Sequence, residues 1–119
     1  MRMDSAQELV NQLDQELRRG TLVLSVLSRL SSPQYGYSLV QELGERGVGV
    51  DASTLYPLLR RLEKQGLCEA SWETGGAKPR KYYLRTALGD EVYGVLSQHW
   101  RSVVESMDGL LGEGSEDER

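Results

Sequence analysis

The chain of 119 residues contains no phenylalanine, two tryptophans, one cysteine and one histidine, and each shortage removes a class of answer. Without phenylalanine the core has to be built from leucine and valine. A chain of this length makes one small domain, and a core that small gains from assembly with a second copy. The lone cysteine, Cys68, excludes an internal disulfide and any multi-cysteine metal site, in keeping with a reducing compartment. Its apolar-pattern position makes it a buried, unreactive thiol. His99 offers no neighbouring ligand or nucleophile, so neither a metal, a cofactor nor an enzymatic activity is expected. No apolar run reaches the length of a signal peptide or a membrane span, which leads to the expectation of a cytoplasmic protein without membrane contact.

Charge is short of one sign only locally. The whole chain has 14 basic and 18 acidic residues, a net charge of −4. Yet residues 51–86 reverse the sign: Arg60, Arg61, Lys64, Lys78, Arg80, Lys81 and Arg85 outnumber Asp51, Glu63, Glu69 and Glu73. A basic unit on an acidic scaffold permits phosphate contact on one face and opposes indiscriminate binding elsewhere.

Apolar spacing then divides the chain. Leu9, Val10, Leu13 and Leu17 predict an amphipathic helix over residues 5–17, capped by Asp4 or Ser5, and Leu22, Val23, Val26, Leu27 and Leu30 predict a more hydrophobic one after Gly20. The spacing does not decide whether these two are one bent helix. Ser31-Ser32-Pro33 is a stop, after which Tyr35-Gly36-Tyr37 opens a helix reaching Gly47. Asp51 or Ser53 caps the next, in which Leu55, Leu58, Leu59 and Leu62 face inward and Ser53, Thr54, Pro57, Arg60, Arg61 and Lys64 face outward, with Gly66 as its stop. Pro57 is expected in the first turn, where its missing N–H costs no hydrogen bond. Alternation over residues 67–72 and 80–84 predicts a β-hairpin around a Gly75-Gly76 turn. Thr86 caps a last helix ending near Leu111, and residues 112–119 read as a disordered acidic tail.

The fold class that follows is mostly α with a small β-hairpin: a winged helix-turn-helix over residues 20–86, a helical arm over residues 1–19 and a dimerisation helix over residues 87–111. In that last helix Tyr93, Leu96, Trp100, Val103, Met107 and Leu110 recur every three or four residues, and Leu88, Val92, Val95, Val104 and Leu111 widen the apolar face. This is more hydrophobic surface than one small domain covers, which predicts a homodimer in which this helix packs on both its own domain and the partner.

Helix followed by basic hairpin is how a winged helix grips DNA. Thr54, Tyr56, Arg60 and Arg61, with Ser53 and Lys64 on the same face, are set to reach phosphates or base edges in the major groove. Lys78, Arg80 and Lys81 are set to hold the flanking backbone. The plainer alternatives are a solvated helix face and an edge strand charged against aggregation. Strand alternation puts Arg80 with Tyr82 on one side and Lys81 with Tyr83 on the other, which sends one tyrosine to the core. Trp100 is either an aromatic of the dimer core or a stacking platform for a planar ligand near a two-fold axis.

Four stretches together carry a resemblance: Arg19-Gly20-Thr21-Leu22, Tyr35-Gly36-Tyr37, the block from Thr54 through Leu55, Tyr56, Pro57, Leu58, Leu59, Arg60, Arg61, Leu62 and Glu63 to Leu67, and Pro79-Arg80-Lys81-Tyr82-Tyr83-Leu84 with Thr86 and Gly89. In order and spacing over roughly residues 18–90 the chain resembles the PadR family of bacterial transcriptional regulators, in its short branch with a single C-terminal helix. The resemblance implies a homodimeric winged-helix repressor of double-stranded operator DNA, pseudo-palindromic to match the dimer, with the N-terminal helix, and so Leu9 and Leu13, joining the C-terminal helix in the dimer interface, and released by a small effector that in some short members is a flat aromatic compound. The longer arm and the acidic tail depart from the common pattern. The competing class is a winged-helix protein-interaction module without DNA binding, favoured only by the overall acidity.

Overall fold

A computed structural model describes the backbone of residues 2–117 and the side chains of residues 5–112. Along the chain come α1 (Arg2–Arg18), α2 (Thr21–Arg29), β1 (Gln34–Tyr35), α3 (Gly36–Glu45), α4 (Ala52–Lys64), β2 (Cys68–Glu73), β3 (Arg80–Arg85) and α5 (Ala87–Asp117). Helix α1 starts at Arg2, ahead of the expected caps Asp4 and Ser5, and a break at Arg19 and Gly20 makes α1 and α2 two helices.

The core is leucine-built, as the missing phenylalanine requires. Val26 and Leu27 of α2 and Leu30 at its C-cap, Leu39 and Leu43 of α3, and Leu55, Leu58, Leu59 and Leu62 of α4 close on Cys68 and Tyr83 of the sheet. Burying one leucine is worth roughly 1.5–3 kcal/mol, so these side chains fix how α3 and α4 stand to one another. Both helices end in a residue at positive φ, Gly47 at 88° and Gly66 at 80°. In each case the next N–H reaches back to the last turn, Val48 to the Leu43 carbonyl at 2.7 Å and Leu67 to the Leu62 carbonyl at 2.9 Å. A side chain at either glycine would strain this αL cap.

The sheet has three strands in the order β1-β3-β2, all antiparallel. The third strand corrects the expected two-stranded hairpin: β1 pairs Gln34 with Tyr83 and Tyr35 with Tyr82. Two residues beside Pro33 are too few to show a period of two. Arg85 locks the base of the hairpin, donating to the Leu27 carbonyl and to Asp90 at 2.7 Å each, with its guanidinium 4.4 Å from the Tyr93 ring centre. Thr86 caps α5 as expected, its Oγ1 accepting from the Gly89 N–H at 3.0 Å. At Gly89 itself a Cβ would collide with the Leu67 carbonyl, so the approach of α5 to the β2 entry needs a residue without a side chain.

Helix α5 does not stop at Leu111; its backbone continues to Asp117, which corrects the disordered tail for residues 112–117, while residues 118–119 lie outside the described residues. Gly112 and Gly114 lower helix propensity by about 1 kcal/mol each but present nothing that breaks a helix already propagated from Ala87. Pro57 is also misplaced by the expectation: with α4 starting at Ala52 it occupies the second turn. There it cannot donate to the Ser53 carbonyl, so the turn lacks one backbone hydrogen bond.

Candidate nucleic-acid interface

Helix α4 is positioned from both ends. At its start Asp51 accepts from the Thr54 N–H at 2.9 Å and from the Ser53 hydroxyl at 2.7 Å, and these bonds, the Ser53 one first, hold its carboxyl below the usual carboxylate range. The four buried leucines then fix the helix rotation. At 100° per residue, Ser53, Pro57, Arg60 and Lys64 run along the middle of the opposite face, Thr54 and Arg61 along one edge and Tyr56 along the other. All seven are exposed.

Tyr56 is held in place by an absence. A Cβ at Gly36 would collide with the far end of the Tyr56 ring, so the ring rests against the first residue of α3. The neighbouring Tyr37 is 68% exposed and its hydroxyl accepts from the Gln41 side chain at 3.2 Å. This polar aromatic at the mouth of the helix pair was not among the expected contact residues, although the Tyr35-Gly36-Tyr37 sequence was the available signal.

The wing shows its two faces as expected, Tyr83 being core and Tyr82 lying edge-on to Tyr35 at 6.0 Å. Arg80 stacks over the Tyr35 ring at 3.9 Å. The Tyr35 hydroxyl donates to Glu73 at 2.7 Å, a bond that raises its pKa. Lys81 points the other way: its Nζ is 3.8 Å from Glu63 of α4 and 5.5 Å from the Tyr83 ring centre. It therefore tethers the wing to α4 instead of standing free. Lys78 is exposed in the turn. Trp72, paired with Lys81 in the strand register, is 61% exposed, and its apolar surface beside the basic hairpin was also missed.

Among the described residues, Arg60, Arg61, Lys64, Lys78 and Arg80 have no carboxylate oxygen within 4.0 Å, whereas Arg18, Arg29, Arg46, Lys81 and Arg85 each do. Arg19 and Arg101 also lack one, so of the seven such cations among the described residues five lie on α4 and the wing. Unneutralised charge on one side of a small fold is an electrostatic footprint for a polyanion.

The expected interface residues divide. Tyr93 and Leu96 are half-buried against the core of their own chain. Leu9, Leu13, Trp100, Val103, Met107 and Leu110 are 42–65% exposed, as are Val10 and Leu111. Trp100 also lines, with Tyr93 and Arg101 of α5 and Leu24 and Ser28 of α2, an open cavity of about 380 Å³. His99 is exposed, and no group of metal-ligating side chains occurs among the described residues. Cys68 is buried, and burial first, then the Glu63 carboxylate, pushes its thiol up to about 11. No described helix is long and apolar enough to cross a membrane.

The PadR-like family of transcriptional regulators matches residues 23–95. The fold is similar to that of a PadR family transcriptional regulator from Eggerthella lenta, with a TM-score of 0.85 and 46% identity over 90% of this chain and 96% of that one. A transcriptional regulator of Mycobacterium tuberculosis is 33% identical over 75 residues, 62% of this chain and 70% of its own length. Bacillus subtilis PadR, solved in complex with operator DNA, shares the fold with a TM-score of 0.59 at 22% identity, over 64% of this chain and 45% of that one.

Proposed function

The chain belongs to the PadR-like family of transcriptional regulators, which are not enzymes, and on that premise we propose that it is a homodimeric, sequence-specific repressor of a pseudo-palindromic operator. Each protomer lays α4 in the major groove, with Ser53, Thr54, Tyr56, Arg60, Arg61 and Lys64 toward the duplex. The single observation that carries this reading is the gathering of carboxylate-free cations on α4 and the wing. Arg60, one turn beyond Tyr56, has the reach for a guanine edge or a phosphate. Lys78 and Arg80 follow the backbone beside the groove, and the operator complex of the Bacillus subtilis protein supports the same use of the fold.

Two copies are joined through the exposed apolar faces of α1 and α5. A planar aromatic effector, stacked on Trp100 at the mouth of the cavity between α2 and α5, would alter the spacing of the two α4 helices and release the operator. The protein is expected to act in the cytoplasm.

The test is binding of the purified protein to the duplex upstream of its own coding sequence, titrated between 50 and 200 mM salt. The expected result is a preference for that duplex over a scrambled one and an affinity that falls steeply with salt. Equal, salt-insensitive binding to both would instead identify a protein-interaction module.

A further inference from the structure

A second cavity, of about 420 Å³, opens on the opposite side of α4 from the wing. Thr54, Pro57 and Arg61 form one wall, spaced three and four residues apart and so on a single edge of α4. The other wall is Arg19, with Leu22 and Val23 of α2. Its polar groups are two guanidinium ions and a hydroxyl, and no carboxylate lines it. Among the described residues neither Arg19 nor Arg61 has an acidic oxygen within 4.0 Å, although the adjacent Arg18 is held by Asp14 at 3.1 Å. Asp51, the N-cap of α4, is occupied by Ser53 and the Thr54 N–H.

We propose that Arg19, Arg61 and Thr54 form a seat for one backbone phosphate of the duplex, gripping the strand across the groove from the wing. This rests on the DNA-binding reading above. Two forked donors and a hydroxyl suit a phosphodiester, which offers two unesterified oxygens and accepts bidentate bonds. Both arginines are exposed, and beside the apolar Leu22, Val23 and Pro57 the two forks and the hydroxyl are the polar side-chain groups of the cavity. Position explains the rest. Around α4 the core leucines separate the edge of Thr54 and Arg61 from that of Tyr56 and Glu63, and Glu63 is where the wing attaches through Lys81. Seat and wing therefore flank the central row of Ser53, Arg60 and Lys64, and α4 is clamped from both sides. Arg19 also sits in the break between α1 and α2, so the direction α1 takes in the assembled protein sets whether the seat is closed.

The test uses the full chain and the duplex from its own upstream region. Arg19→Gln is expected to lower affinity about tenfold for specific and scrambled duplexes alike and to reduce the salt slope by about 1, the signature of one lost phosphate contact. Arg19→Lys should keep the slope while losing part of the affinity, because it retains the charge and not the fork. Neutral methylphosphonates scanned along the duplex should reveal one position that weakens the unaltered protein and leaves Arg19→Gln no weaker. Unaltered protein that binds with the same slope as a natively assembled Arg19→Gln protein overturns the seat alone. Inorganic phosphate that competes at fixed ionic strength with the unaltered protein, but not with Arg19→Gln, overturns it in favour of a free-anion site. Absence of any duplex binding by the unaltered protein overturns the functional reading and the seat with it.

Discussion

Single residues in this protein act mainly through what they leave room for. Gly36 is the case with the most direct functional reach, because the Tyr56 ring occupies the space a Cβ would take. The displaced atoms would be the outer end of a ring that is 37% exposed, so Gly36→Ala should fold normally and swing Tyr56 away. Operator affinity is expected to fall about fivefold to tenfold, the loss of about one hydrogen-bonded contact, with the thermal midpoint within a few degrees of wild type; equal affinity would remove Tyr56 from the interface. At Cys68 the raised pKa favours the neutral thiol in the fold. Its contribution to stability is complete below the ordinary thiol value of 9.0 and is lost as pH rises through about 11. Native protein at pH 8 is therefore expected to resist alkylation that unfolded protein undergoes, and stoichiometric labelling of the folded state would contradict the buried site. Leucine spacing announces which face of α4 is core, and Tyr35-Gly36-Tyr37 announces a helix start, but the contact of Gly36 with Tyr56 lies between two helices and leaves no mark within either one.

At the scale of elements, the wing is tied to the helix it flanks through Lys81 and Glu63. Exposed pairs of this kind contribute about 0–1 kcal/mol, so the tether is weak, and with α4 in the groove as proposed Glu63 would cost more as a negative charge facing phosphate than it returns as an anchor. Glu63→Gln is expected to tighten binding to any duplex about twofold to fivefold and to raise the salt slope; weaker binding would show that wing placement outweighs the freed charge. The hairpin, its tyrosine alternation and the Thr86 cap were all visible in the sequence because each follows a local rule. Strand β1 was not, because two residues gain their pairing from β3 alone. Pro57 was misjudged for a related reason: the turn it occupies depends on where α4 begins, and Asp51 and Ser53 were equal candidates until the backbone chose Asp51.

The whole molecule is longer than its core can account for. Its radius of gyration is 18.2 Å, where a compact chain of this size has about 13–14 Å. The excess lies in α1 and in α5 beyond Leu96, whose apolar residues stay exposed. Val103→Asp is expected to shift the protein to monomer in sedimentation and to lower operator affinity by two orders of magnitude or more, with the winged-helix core intact by circular dichroism; a fully dimeric variant would place the interface elsewhere. Periodicity had marked these faces as surplus, but it could not separate Tyr93 and Leu96, which dock on their own core, from the residues further along the same stripe. The reach of α5 beyond the core has a last consequence, in gene dosage. In the proposed homodimer, each protomer must first find its own copy, so the site is occupied with the square of the concentration when the protein is scarce. Halving the amount of such a dimer would then cut operator occupancy to about a quarter, and control would behave as a threshold, not a proportional dial.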